Sequence, residues 1–140
     1  MKMYRNNEHY PDPTFGEAYS NIRRAEKAAE TLPWVYIASP YRGDVEKNTA
    51  AAEKYAAFAA RQNKIPLCPH IYFTRFLDDN NEAERRKGLN FAMQWLKHCD
   101  EMWVFGSRIS SGMKAELDAA RTWNIPIRFF DENCREAAAR

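Results

Sequence analysis

The sequence predicts one α/β domain with a short, mostly parallel sheet of four or five strands. Short apolar runs rich in β-branched and aromatic residues alternate with longer segments whose apolar residues recur every three or four positions. Parallel strands need a long, right-handed crossover between them, usually a helix. A length of 140 residues, 45% of them hydrophobic and 29% charged, is ordinary for one such domain. We therefore predict a Rossmann-like three-layer architecture.

The predicted strands are short runs, each ended by polar residues, glycine or proline. They span residues 34–38, 64–68, 101–105 and 126–130. The second run contains Pro66, which cannot donate a ladder hydrogen bond, so this strand is expected near an edge of the sheet.

The predicted helices lie between these strands and at both ends of the chain. They span residues 14–31, 44–62, 82–99, 111–123 and 132–140, with Asp44 as the N-cap of the second. Residues 69–81 mix turn formers with apolar residues, and we expect a functional loop or a short helix there. The predicted organisation is an N-terminal arm and helix (1–31), the α/β domain (32–130) and a C-terminal tail (131–140).

Composition and charge exclude several classes of function. With 21 Lys and Arg against 19 Asp and Glu, the net charge of +2 is too small for the basic surface that binds duplex nucleic acid. No run approaches about 18 apolar residues, and the polar start lacks the apolar core of a signal peptide, so we expect a cytoplasmic protein without a membrane partner. The three cysteines form no CxxC motif, so we expect reduced thiols and neither a metal nor an organic cofactor.

Ligands of open parallel sheets bind beyond the carboxyl ends of the strands, and three loops lie there. The first loop carries Ser39, Tyr41, Arg42 and Gly43, and the second carries His70. The third carries Ser110, Ser111, Gly112 and Met113 at the start of a helix. These are the candidate substrate-binding residues.

The third loop suits an anion, because backbone amides and serine hydroxyls at a helix N-terminus favour phosphate. Ser110 or Ser111 serves equally well as a plain N-cap, and that alternative stays open. Arg42 on the first loop adds a cation that strengthens the anion interpretation.

Glu116 is the candidate catalytic residue, at the border of the apolar stripe of its helix. It follows Gly112 by four residues, so the helix position one turn before the carboxylate carries no side chain. A glutamate in the first helical turn often only complements the helix dipole. If it faces a pocket, the same carboxylate can attack an electrophilic carbon, as in glycosidases.

Other side chains have two interpretations each. His70 can act as an acid or base near neutral pH, or it can simply bind a loop carbonyl. Tyr41, Phe73 and Trp103 can stack on a base, although core packing is the commoner role of an aromatic ring.

Three segments carry a resemblance to a known family: YIASPYRG (36–43), CDEMWVFG (99–106) and SSGMKAE (110–116). Together they resemble the nucleoside 2-deoxyribosyltransferase-like superfamily, and within it an uncharacterised bacterial and phage branch. The resemblance extends over about residues 34–130, and no single motif in it is as specific as a P-loop.

The resemblance implies cleavage of the N-glycosidic bond of a nucleoside or nucleoside monophosphate, with transfer of the sugar to water or another base. It places the glutamate nucleophile at Glu116 and the sugar and phosphate side at Ser39, Arg42 and Gly43. Ser110 matches a serine of the nucleotide-hydrolysing members, the deoxynucleoside 5'-monophosphate N-glycosidases, which favours a monophosphate substrate. It also implies a homodimer or higher homo-oligomer.

Two departures from the family pattern keep other functions open. The family has an aspartate in the helix before the third strand, whereas the matching residues 90–95 of this chain contain only Asn90 and Gln94 as polar side chains. His70, Asp78 or Asp79 could take the place of that aspartate. Lys114 stands in place of a glycine and would crowd the site or add a cation. The alternatives are a catalytically inactive nucleotide-binding or sensing module and a small oligomeric scaffold.

Overall fold

The computed structural model describes residues 13–28 and 31–138, in two units divided after Thr31. In the first unit a single helix, α1, spans Pro13–Ala28, with Tyr19 and Ile22 exposed. The predicted arm over residues 1–12, and residues 29 and 30 of the predicted helix, lie outside the described residues. The predicted domain boundaries at residues 31 and 130 stay a prediction.

The second unit, Leu32–Arg140, contains the sheet and its helices in alternation. The strands are β1 (Trp34–Ala38), β2 (Ile65–Leu67), β3 (Glu101–Phe105), β4 (Ile127–Phe130) and β5 (Glu136–Ala137). The helices are α2 (Val45–Arg61), α3 (Pro69–Tyr72), α4 (Glu82–Lys97) and α5 (Ser111–Thr122), and a 3₁₀ turn spans Phe73–Arg75. The short helix expected within residues 69–81 is confirmed as α3.

The strand order is β2-β1-β3-β4-β5, with the first four strands parallel and β5 antiparallel to β4. The predicted mostly parallel α/β sheet is confirmed. Strand β2 lies at one edge, where the missing N–H of Pro66 costs least.

The predicted helix over residues 132–140 is wrong, because the chain turns back and adds strand β5 to the sheet. The Asp131 carboxylate accepts hydrogen bonds from the N–H groups of Asn133 and Arg135, at 2.8 and 2.9 Å, which closes a tight turn. Ala137 then pairs with Phe129. A side chain that binds its own backbone competes with helix formation, and here the turn prevails over the alanine-rich tail.

Polar N-caps begin three helices. The side chains of Asp44, Asn81 and Ser110 accept the N–H groups of Lys47, Glu84 and Met113 respectively. Each cap satisfies one of the N–H groups that have no partner within the helix. The caps of α2 and α5 lie after strands β1 and β3, so these helices begin at the carboxyl edge of the sheet.

Alternate residues of the strands divide the core into two clusters, one on each face of the sheet. Tyr36, Ala38, Met102, Val104 and Phe129 pack against α4 and α5 in the first cluster. Val35, Ile37, Trp103, Phe105 and Phe130 pack against α2 in the second. Strands β1 and β3 are therefore covered on both faces.

Candidate functional site

A cavity of about 460 Å³ opens at the carboxyl ends of the parallel strands. Its walls come from the loop after β1, from the segment after β2, from α4 and from the start of α5. The volume lies in the range of small-molecule sites, and the position is where open parallel sheets bind ligands. Most of the predicted site residues line it: Tyr41, Arg42, Gly43, His70, Ser110, Ser111, Gly112, Met113 and Glu116.

Glu116 lines this cavity from the second turn of α5. It is only 5% exposed and shares the buried stripe of the helix with Met113, Leu117 and Ala120. Its position is therefore inside that stripe and not at the border expected from the sequence. Among residues 13–28 and 31–138, its buried Oε2 has no hydrogen-bond partner. A buried oxygen without a partner is costly in a protein interior, so this oxygen calls for an explanation.

Burial raises the pKa of Glu116 to about 7, because the ionised carboxylate loses its water. The nearby hydroxyl of Tyr36 opposes this shift and lowers the pKa. The two groups face each other but do not meet the geometry of a good hydrogen bond, since the Tyr36 hydroxyl has no partner within the described part of the chain. Near neutral pH, both protonation states of Glu116 are therefore populated.

Arg42 lines the cavity from the loop after β1 and pairs with Asp79. Its Nε donates to Asp79 Oδ2 at 3.0 Å, and a terminal nitrogen donates to the Asp79 carbonyl at 3.3 Å. Asn48 holds the same loop by donating to the carbonyls of Tyr41 and Arg42. Gly43 has φ +105°, a left-handed conformation that favours glycine. A fixed loop thus presents one cation at the cavity.

His70 binds a loop carbonyl, one of the two roles that the sequence left open. Its Nε2 lies 2.7 Å from the carbonyl oxygen of Ser39, and its ring stacks on Tyr41 at a centroid distance of 5.2 Å. Burial lowers the pKa of His70, so the neutral ring donates its Nε2 proton to Ser39. The ring has no proton on Nδ1 to give.

Ser110 acts as the N-cap of α5, since its Oγ accepts the N–H of Met113 at 3.2 Å. It also lines the cavity, together with Ser111 and Gly112. The capping role and a place at the cavity are therefore compatible.

Several residues weighed from the sequence lie elsewhere. Ser39 is 1% exposed and does not line the cavity, although its buried Oγ lacks a partner in the described ranges. Trp103 is buried in the cluster on the opposite face of the sheet, so it cannot stack on a ligand here. Phe73 and Tyr41 do line the cavity.

The two polar residues of α4 that were considered as replacements for the missing aspartate do not line the cavity. Asn90 and Gln94 are exposed on α4, and Ala92, between them, lines the cavity instead. Helical periodicity explains this, because Gly88 and Ala92 share a face that Asn90 and Gln94 do not. Lys114 is likewise exposed and outside the cavity lining, so it neither crowds the site nor adds a cation.

Of the two acids after α3, only Asp79 lines this cavity. Asp79 is engaged by Arg42, while Asp78 accepts the N–H of Asn80 in the same turn. Asp100 lies before β3, at the opposite end of the strands, where it accepts the N–H of Trp34 at 2.8 Å.

Glu84, Arg85 and Arg108 also line the cavity and were not predicted from the sequence. The only signal was a second stripe on α4, in which Glu84, Gly88 and Ala92 recur every fourth residue. The apolar spacing of Leu89, Met93 and Leu96 predicts the helix without it. Arg108 has no periodicity to reveal it, since it lies in a loop.

Two further findings concern metal binding and membrane insertion. No group of three or more His, Cys, Asp or Glu able to hold a metal ion occurs among residues 13–28 and 31–138. None of the helices described in those ranges is both long and apolar enough to cross a membrane.

The chain has an α/β fold with a cavity at the carboxyl edge of its sheet. The chain belongs to the family DUF7768, a domain of unknown function, whose model matches residues 33–130. No curated protein matches the sequence.

Among solved structures, the chain is similar to a 2-deoxyribosyltransferase from the psychrotolerant bacterium Bacillus psychrosaccharolyticus, described as a biocatalyst for nucleoside synthesis. The TM-score is 0.56 at 16% sequence identity, over 76% of this chain and 77% of that chain. At this identity the likeness shows a shared fold.

Proposed function

We propose that this protein cleaves the N-glycosidic bond of a nucleoside or deoxynucleoside 5'-monophosphate, with Glu116 as the nucleophile. The observation that carries the proposal is the Glu116 carboxylate, which is buried, lines the cavity and has an oxygen without a partner among the described residues. The shared fold with a deoxyribosyltransferase supports it.

The reaction has two steps. A carboxylate oxygen of Glu116 attacks the anomeric carbon, the glycosidic C–N bond breaks, and the base leaves with the bonding electrons and takes up a proton. Water, or the nitrogen of a second base, then attacks the same carbon and releases the Glu116 carboxylate. The acceptor loses its proton, so the sugar ends as a free hydroxyl compound or as a new nucleoside.

The cavity offers different surroundings to the three parts of such a substrate. Arg108, Ser110 and Ser111 lie at the start of α5, where backbone amides and the helix dipole favour a phosphate. Arg42 adds a second cation across the cavity. Phe73, Leu77 and Leu89 form an apolar wall for a planar base.

One observation favours a second candidate, a nucleotide-binding module without catalysis. A departing base needs a proton, and α4 turns Gly88 and Ala92 toward the cavity, with no acid at either position. Asp79 is paired with Arg42, and the Nε2 proton of His70 is directed at Ser39. Such a protein would bind nucleotides and leave them intact.

Incubation of the pure protein with a panel of nucleoside and deoxynucleoside monophosphates, followed by chromatography of the free base, tests the proposal. We expect base release that falls by about a thousandfold or more in Glu116→Gln, because the nucleophile is lost. Asp118→Asn is the matched control, since Asp118 is an exposed acid on the same helix.

Three results decide between the candidates. Base release that survives in Glu116→Gln contradicts the role of Glu116. Intact nucleotides with measurable affinity favour the binding module. An added second base that appears in a new nucleoside identifies transfer over hydrolysis. The homo-oligomeric state and cytoplasmic location stay predictions.

A further inference from the structure

The first turn of α4 places two charged side chains of opposite sign, Glu84 and Arg85, at the cavity. Across residues 13–28 and 31–138, neither side chain takes part in an ion pair, whereas Asp79 and Arg42, which also line the cavity, pair with each other. Glu84 and Arg85 are neighbours on α4, and no ion pair joins them in the described part of the chain. Both are free to bind a ligand.

Helical geometry places Glu84 at the far end of the cavity from Glu116. Glu84, Gly88 and Ala92 form one stripe, and eight residues of helix rise by about 12 Å. Ala92 packs in the same core cluster as Met113 of α5, one turn before Glu116. The Ala92 end of the stripe therefore lies beside the nucleophile, and the Glu84 end lies two turns away.

The wall between these two ends is apolar. Phe73, Leu77 and Leu89 line this region of the cavity. The Leu77 side chain packs over Gly88, where a Cβ would meet it at 3.4 Å. A cavity that has this apolar wall, a carboxylate at one end and Glu84 with Arg85 at the other suits a base held edge-on to α4.

The charge of Glu84 also determines the orientation of a bound nucleotide, that is, which end of the cavity takes the phosphate and which takes the base. Both helix starts carry a cation, but Arg85 of α4 lies beside the acids Glu82 and Glu84, which repel a phosphate. The first turn of α5 has no acid, and Arg108 and two serines lie next to it. The phosphate therefore belongs at α5, and the base extends toward α4.

We propose that Glu84 and Arg85 read the outer edge of the base and select a guanine-type base. This inference rests on the nucleotide-binding part of the proposed function. The Glu84 carboxylate accepts the two parallel N–H donors of guanine, N1–H and the 2-amino group, and Arg85 donates to O6. Adenine presents the opposite pattern on this edge, and hypoxanthine lacks the 2-amino group. A site built around two donors discriminates strongly against a ligand that lacks one.

The test compares binding of guanosine, inosine and adenosine 5'-monophosphates by calorimetry, in a Glu116→Gln background that keeps the nucleotides intact. We expect guanosine monophosphate to bind at least about tenfold more tightly than inosine monophosphate, because one buried hydrogen bond separates them. In Glu84→Gln the preference falls to about twofold or less, since an amide presents an N–H group to the donors. Glu82→Gln, an exposed acid of the same helical turn, keeps the preference.

Equal affinity for the three nucleotides, no measurable binding of any of them, or a preference unchanged in Glu84→Gln would each overturn the inference. Its failure is separable from that of the proposed cleavage. Base release by the unmodified protein without a guanine preference removes the base-reading role and leaves the reaction. Selective binding without base release removes the reaction and leaves the base-reading role.

Discussion

The two faces of the sheet differ in how they are filled. On the α2 face, Tyr55 stacks on Phe105 at 4.3 Å, Phe105 stacks on Phe130 at 4.9 Å, and Trp103 lies 5.0 Å from Phe130. On the face covered by α4 and α5, the Tyr36 hydroxyl and Glu116 Oε2 are buried without partners in the described part of the chain, and a cavity opens beside Glu116.

The two faces of the sheet therefore have different roles, one in stability and the other in reactivity. Stacked rings fill space without leaving polar groups unsatisfied, so the α2 face contributes stability. The opposite face keeps a desolvated carboxyl group, which lowers stability and raises reactivity. Mutations on the two faces are expected to affect different measurements.

Truncation of the filled face has the largest expected effect. Phe105→Ala removes a fully buried ring and lowers the free energy of unfolding by about 3–5 kcal/mol. Leu77→Ala, at the half-buried cavity wall, costs less than about 2 kcal/mol, because one side of Leu77 already faces open space. Urea denaturation measures both. Equal losses would contradict the difference between the faces.

The buried carboxyl predicts an unusual pH dependence of stability. The pKa of Glu116 is about 7 in the folded protein and 4.5 for an ordinary glutamate, so between these values the folded state binds more protons. Stability therefore falls as pH rises from 4.5 to 7, by up to about 3 kcal/mol from this group.

Glu116→Gln removes that penalty, so we expect it to be more stable than the unmodified protein at about pH 8 and nearly equal at about pH 4.5. Urea denaturation at the two pH values checks this. Asp118→Asn, on the exposed side of α5, serves as the control. A Glu116→Gln protein that is less stable at the higher pH would show that the carboxylate is held by favourable contacts.

The same pKa sets the pH dependence of the proposed cleavage. Only the ionised carboxylate attacks, so kcat/KM should fall about tenfold for each pH unit below 7 and level off above it. Initial rates of base release between about pH 5 and 9 measure the profile. A rate that stays flat across the acidic half of that range would show that the reacting carboxylate ionises at its ordinary pKa.

The smallest effect concerns the ion pair at the cavity rim. Arg42 is 57% exposed, so loss of its pair in Asp79→Asn should change stability by less than about 1 kcal/mol. The guanidinium is then free for phosphate, and monophosphate affinity should rise a few-fold. A titration with a nucleoside monophosphate at low salt measures this affinity. Asp78→Asn is the control, because the Asp78 carboxylate makes no ion pair with Arg42. Weaker phosphate binding in Asp79→Asn would mean that the pair holds Arg42 in its binding position.

Local chemistry made the fold predictable. Strands β1 and β3 and helices α2, α4 and α5 lie within a few residues of their predicted bounds, because alternation of short apolar runs with helical stripes is a local signal. The Asp44 cap was equally local. The tail was mispredicted, because its alanine-rich composition favours a helix, whereas the turn closed by Asp131 directs residues 136–137 to pair with β4.

The candidate site was predictable only in part. The rule that ligands bind at strand ends predicts that Arg42, His70 and Ser110 lie at one edge of the sheet, and the structure places them around one cavity. Which side chains of α4 face that cavity depends on the rotation of the helix against α5. A sequence does not specify this rotation, so Ala92 was overlooked, while Asn90 and Gln94 were considered as replacements for the aspartate.

By itself, the sequence determined the alternation of strands and helices from β1 to β4, two of the caps and the strand ends at which the candidate site residues lie, because these depend on neighbours along the chain. The tertiary structure alone decided that Trp103 faces the filled core, that Glu84 and Arg85 face the cavity, and that Glu116 is buried. Packing between distant segments sets the exposure of a side chain, and exposure sets its pKa and its access to a ligand.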